Sequence, residues 1–212
     1  MIVETLAVGP LGCNCTILGC PETRKALVVD PGGDADRIAA LLDRHGLTPV
    51  ALLHTHAHFD HVLGAPELKE RFGAEILLHA DDLPLYENVP MQGAFFGFSL
   101  PEPAPVDRFV PDGEQLAFGA EKGEVIHTPG HTPGSICFHV GKQKLLLTGD
   151  TLFAGGIGRT DLWGGSQTAL MRSIRERLLT LDPETRVIPG HGPETTLGEE
   201  AVNNVFLSGS WA

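Results

Sequence analysis

Five short strand-like runs in this chain, most of them apolar, end in the same way. Residues 25–29 (KALVV) run into Asp30-Pro31-Gly32 and residues 49–53 (PVALL) into His54-Thr55-His56. Residues 123–127 run into Thr128-Pro129-Gly130-His131, 144–148 into Gly149-Asp150-Thr151, and 186–189 into Gly190-His191-Gly192. Apolar runs this short, bounded by turn residues, read as buried strands. Each strand then delivers an imidazole or a carboxylate into a turn at its carboxyl end, where sites assemble in sheet folds with flanking helices. Between them, helices are expected at 35–45 (capped by Asp34, stopped by Gly46), 66–72, 166–180 and 195–203. Strands are expected at 2–8, 15–19, 75–78 and 135–140. Strands with recurring helices mean α/β or α+β. No linker or composition break interrupts the chain, so one domain over residues 1–212 is expected.

The densest of these turns is LLHTHAHFDHVLG, residues 52–64, with four of the chain's 10 histidines. In extended backbone His54, His56 and His58 share one side, so spacing alone admits all three as ligands. Asp60 and His61 are adjacent and reach one ion from a loop or a first helical turn. Together with His131, Asp150 and His191 they supply the imidazole and carboxylate donors that a hydrolytic metal site needs. Cys13, Cys15 and Cys20 also form a tight array, but their strand context and the lack of a second pair argue against a metal site.

Other functions are excluded by bulk properties. With 15 basic against 27 acidic residues, the chain lacks the positive charge of a nucleic-acid binder. No apolar run approaches the ~18 residues that span a bilayer, and MIVETLAVGP has no basic signal-peptide start. Four cysteines make no disulfide scaffold, so a cytoplasmic location is expected.

His56-x-His58-x-Asp60-His61, followed by His131, Asp150 and His191, resembles the metallo-β-lactamase fold superfamily. Asn14-Cys15, Asp30-Pro31-Gly32 and Gly149-Asp150-Thr151 stand in that family's order. Within it, Thr148 to Phe153 and Gly158 to Leu162 look like the glyoxalase II-related hydrolases. The resemblance implies a four-layer αββα sandwich of the α/β class. It implies two divalent ions, zinc first and iron or manganese as alternatives: one held by His56, His58 and His131, the other by Asp60, His61 and His191. Asp150 would bridge them and position a hydroxide, and Asp60 is a further candidate proton acceptor. It places His54 where the family carries an apolar strand residue, so His54, Thr55 and Asp30 are expected to support ligands; Asp30 reads equally as a plain Asp-Pro turn.

The implied reaction is hydrolysis of a glutathione thioester such as S-lactoylglutathione. Two departures bear on it. Only 21 residues follow His191, too few for the family's helical glutathione-gripping domain. Gly158-Arg159-Thr160-Asp161 stands where those enzymes carry a Lys-Phe-Tyr run. Arg159 either pairs with a substrate carboxylate or is a structural partner of Asp161. Phe95, Phe96 and Phe98, in a proline-rich stretch at 88–113, are candidates for an ordered binding loop, or else part of a surface excursion. Two other readings stand beside the hydrolase: an iron-dependent glutathione persulfide dioxygenase, which shares these motifs, and a non-catalytic metal-binding module.

Overall fold

In the computed structural model, residues 1–208 are described. Strand β1 (Ile2–Val8) pairs antiparallel with β2 (Cys13–Gly19), and β2 antiparallel with β3 (Lys25–Val29). After helix α1 (Ala35–His45), β4 (Thr48–Leu53) joins β3 in parallel. The short helix α2 (Phe59–Val62) and α3 (Ala65–Phe72) lead to β5 (Glu75–Leu78), also parallel. Helices α4 (Leu83–Glu87) and α5 (Val89–Phe95) precede β6 (Arg108–Phe109), which completes a six-stranded sheet in the order β1 to β6.

The second sheet contains β7 (Gln115–Phe118), β8 (Glu121–His127), β9 (Ile136–Val140) and β10 (Leu145–Gly149). A hairpin of β11 (Leu152–Phe153) and β12 (Gly156–Ile157) follows. Helix α6 (Gln167–Ser173), continued by a wider π-type turn at 174–178, leads to β13 (Arg186–Pro189). Strand β14 (Thr195–Thr196) and helix α7 (Leu197–Asn203) end the second half. The sheet order is β14-β13-β10-β9-β8-β7.

The four layers follow from strands that bury both faces. Along β3, Ala26 and Val28 point to a core shared with Ile38, Leu42 and Leu68 of α1 and α3, while Leu27 and Val29 point to the other sheet. Along β10, Leu145 and Leu147 face that same inter-sheet core, and Leu146 packs with Leu170 and Ile174 of α6 and its continuation. A strand buried on both sides reads as an unbroken apolar run, which is why these were legible. The result is helix, sheet, sheet, helix.

Strand direction sets the site. β3 and β4 are parallel, as are β10 and β13, while β8 is antiparallel to β9 and β9 to β10. The carboxyl ends of β8, β10 and β13 therefore lie at one edge. Hydrogen bonds join the halves there: Ile136 N donates to Thr55 O at 2.8 Å, and Asn14 N to Gly190 O at 2.7 Å.

Three local expectations are corrected. Asp34 does stand at the start of α1, but in a left-handed conformation, and its side chain does not cap the helix. Its Oδ2 instead accepts from Gly9 N at 3.1 Å and Arg37 at 2.9 Å. The start of the 88–113 stretch is α5, because Pro90 sits in its first turn, where a missing N–H costs nothing. The 166–180 helix is α-type only to Ser173.

Candidate metal centre

The donor atoms of His56, His58 and His131 lie within 4.8 Å of one another, as do those of Asp60, His61 and His191. Asp150 stands between the groups. Its Oδ2 is 3.6 Å from His131 Nε2, and its Oδ1 is 3.6 Å from His61 Nε2 and 3.9 Å from His191 Nε2. The seven residues come from four segments, those after β4 (where Asp60 and His61 lie in α2), β8, β10 and β13. Gly190 is needed at this floor, since a Cβ there would run into the Asp150 carboxylate and the His61 ring.

Hydrogen bonds fix which ring nitrogens face the centre. Asp30, left-handed at φ 51, accepts at Oδ1 from Thr55 N and at Oδ2 from Thr55 Oγ1, both at 2.7 Å. The Thr55 hydroxyl has then spent its proton, so at 3.1 Å it accepts from His56 Nδ1. His56 Nε2 is left as a buried lone pair with no partner, and Asp150 Oδ1 is a second buried orphan. His131 Nδ1 donates to Arg159 O at 2.8 Å, turning its Nε2 toward His58 Nδ1, 2.9 Å away. His61 Nδ1 donates to Asp30 Oδ2 at 3.0 Å, turning its Nε2 toward His191 Nε2 at 3.2 Å. Outer hydrogen bonds of this kind orient histidines that bind metal.

Electrostatics divide the two groups. Burial, reinforced by neighbouring imidazoles, drives His56 well below the usual range and His58 down to about 3, so both are neutral and present lone pairs. Burial also opposes charge on His61, but the Cys13 sulfur and the Asp150, Asp30 and Asp60 carboxylates outweigh it and hold His61 well up. His191 is raised against burial by its hydrogen bond with Asp60 and the charge of Asp150. Burial works to raise the Asp60 carboxyl, yet His61 and His191 hold it down to about 2. Carboxylates that favour a proton on these imidazoles equally favour a metal cation. Converging lone pairs, orphaned acceptors and surrounding carboxylates fit metal ions at both groups.

His54 joins neither group. It is fully buried, and its Nδ1 donates to His61 O at 3.2 Å. Arg159 is exposed and forks onto Asp161 with two bonds of 2.8 Å, the structural alternative of the two weighed for it. Phe96 and Phe98 pack on Phe59 with ring centroids 5.5 and 5.8 Å apart, while Phe95 is 79% exposed.

Asp82 and Gln92 escaped the sequence, as did the partner of Cys13, which was read there only as part of a cysteine array. Cys13 Sγ lies 3.4 Å from His61 Nδ1, its thiol pushed up to about 12 by burial. Asp82 accepts from Ala57 N at 2.9 Å, Thr132 Oγ1 at 2.8 Å and Gly134 N at 2.6 Å, clamping the turn that carries His56 and His58 to the one that carries His131. Gln92 of α5 accepts from Phe59 N at 3.0 Å and donates to Ala57 O at 3.0 Å, tying α5 to the same turn. Asp82 and Gln92 belong to no motif.

Two sheets between helices, with paired His/Asp groups at their carboxyl edge, are the features of a metallo-hydrolase fold. The chain belongs to the metallo-beta-lactamase superfamily, whose family model matches residues 8–191. It is 40% identical over 215 residues to the hydroxyacylglutathione hydrolase GloC of Haemophilus influenzae, covering 98% of this chain and 99% of that protein. Among solved structures it is similar to BLEG-1, described as a B3 metallo-beta-lactamase, with a TM-score of 0.92 and 37% identity, covering 98% of this chain and 100% of that one. It is also similar to TTHA1623 in a di-iron-bound form, with a TM-score of 0.87, 42% identity and coverage of 98% and 100%.

Proposed function

We propose that this protein hydrolyses thioesters of glutathione, S-lactoylglutathione among them, using two divalent ions, zinc being the first choice. His56, His58 and His131 would hold one ion and Asp60, His61 and His191 the other, with Asp150 placed to serve both. The observation that carries the reading is the pair of donor groups meeting at Asp150, seen together with the likeness to GloC. Bound there, the ions supply an acidified water at neutral pH and polarisation of a carbonyl oxygen.

The chain's own residues do the rest. Asp30 and Thr55 hold the His56 and His61 rings in the tautomers that face the centre. Asp60 and Asp150 turn carboxylate oxygens toward His191 Nε2, Oδ2 at 3.2 Å and Oδ1 at 3.9 Å, and Asp60 is the candidate to accept a proton there. A thiolate leaves without prior protonation, since free thiols titrate at about 8.5, so the absence of a dedicated general acid among the described residues near the centre suits a thioester. All four cysteines are free thiols, which fits a reducing compartment, and the reading places the enzyme in the cytosol. Among the described residues no helix is long and apolar enough to cross a membrane.

The test is thiol release from S-lactoylglutathione by metal-loaded protein, with His56→Ala and His191→Ala as controls. Release by the wild type and loss in both variants, each still folded, supports the reading. No release from any glutathione thioester sinks it.

A further inference from the structure

A cavity of about 430 Å³ opens beside His58, between α4 and α5 on one side and Leu162-Trp163 on the other. It is within the size range of small-molecule sites. Its wall is almost wholly apolar: Leu85, Met91, Phe95, Phe96, Leu162 and Trp163. None of the residues lining it is charged. Both of its amides make hydrogen bonds within the protein. Gln92 bonds to Phe59 N, Ala57 O and Leu85 O, and Asn88 Nδ2 donates to Pro84 O at 2.7 Å. The nearby cation, Arg159, is spent on Asp161.

Several of the protein's most exposed large apolar side chains gather at this mouth. Met91 is 71% exposed, Phe95 79% and Trp163 57%. Apolar surface concentrated at a concave site marks binding rather than chance. The wall is also fixed to the metal centre. Gln92 holds α5 to the Ala57–Phe59 turn, and Phe96 packs on Phe59, the residue between His58 and Asp60.

We propose that this cavity is an acyl pocket, and that the protein prefers thioesters of medium-length aliphatic acids to S-lactoylglutathione. The inference rests on the thioester reading above. A three-carbon lactoyl group leaves most of the cavity to water, and its hydroxyl faces a wall that is mostly apolar. The two carboxylates of glutathione find no cation there, so the thiol half lies outside and the acyl half inside. The reaction is unchanged: the water oxygen bonds to the acyl carbon and the carbon–sulfur bond breaks. One water proton ends on the departing thiolate, and the other is released as the acid ionises.

Two measurements on the metal-loaded protein test it. The first is kcat/KM across acetyl, lactoyl, butanoyl, hexanoyl and octanoyl thioesters of glutathione. The second is the affinity of the unhydrolysable S-methyl, S-butyl and S-hexyl thioethers, followed by Trp163 fluorescence. Both should climb about fourfold per added methylene until the cavity is full. Leu162→Glu, which puts a carboxylate in the wall, should erase the gradient. Phe95→Ala, at an exposed position that does not threaten folding, should flatten it. Lactoyl turnover with a flat or falling chain-length profile overturns the pocket and leaves the hydrolase reading standing. Graded thioether affinity with no turnover of any thioester overturns the thioester reading and the acyl assignment with it, leaving only an apolar binding cavity. A gradient unchanged in both variants overturns the assignment to this cavity.

Discussion

Asp82→Asn tests how the first donor group is held together. The Asp82 carboxylate accepts three hydrogen bonds: Ala57 N and Thr132 Oγ1 at Oδ2, and Gly134 N at Oδ1. Ala57 lies between His56 and His58, and Thr132 follows His131, so one buried side chain fixes the separation of two ligand-bearing turns. Asparagine offers a single oxygen. In its better orientation that oxygen keeps Ala57 N and Thr132, and the amide meets Gly134 N–H donor to donor. Losing a bond to a charged acceptor and stranding a buried N–H costs about 2–4 kcal/mol. Burial pushes the Asp82 carboxyl up, so a neutral amide recovers part of this. The net loss should be about 2 kcal/mol, large against a total stability of ~5–15 kcal/mol. Urea unfolding of chelator-treated protein should show a lower midpoint at unchanged slope. Chelator competition should show metal affinity down about 10–100-fold, at the His56, His58 and His131 group more than at the other. Asp81→Asn, at the exposed neighbour, should change neither. If Asp82→Asn matches wild type in both midpoint and affinity, the clamp is not what holds these turns.

Further perturbations separate ligands from supports. His54→Ala should keep two metal equivalents per chain while costing about 2–3 kcal/mol from its emptied site and lost bond to His61 O; metal content and urea unfolding report both. Gly190→Ala should leave the protein folded by circular dichroism but weaken metal binding at least tenfold in chelator competition, because its Cβ collides with Asp150 and His61. Asp107 accepts from Lys69 Nζ and from Ile76 N at 2.8 Å, and the Lys69 bond chiefly holds its carboxyl below the usual range. A depressed carboxyl contributes stability that is present above its unfolded value near 4 and is lost as pH falls through the lower folded value. The Ile76 amide signal should therefore titrate only on the acid side of that value, and Asp107→Asn should abolish the titration.

Much of the layout was legible because the physics was local. Leu145, Leu146 and Leu147 form an unbroken apolar run, as a doubly buried strand must, and Gly149-Asp150 marks its end. The turns that carry the candidate donors were legible because imidazoles and carboxylates recur at strand ends, but spacing alone also admitted His54, and the division into two groups came from the resemblance to the metallo-β-lactamase fold. What stayed hidden depends on partners far along the chain. Asp82 meets Gly134 across 52 residues, and Cys13 meets His61 across 48. The helix at 89–95 was masked by the prolines around it, although Pro90 is tolerated at a helix start. Strand β7, with its alternation of exposed Gln115 and Ala117 against buried Leu116 and Phe118, is too short to stand out from the turns beside it.

The most direct test measures metal content, thiol release and oxygen uptake on one preparation. The account predicts two equivalents of divalent metal per chain, thiol release from glutathione thioesters and no oxygen consumption with glutathione persulfide. One equivalent of iron, with oxygen consumed on the persulfide and thioesters left intact, would contradict it.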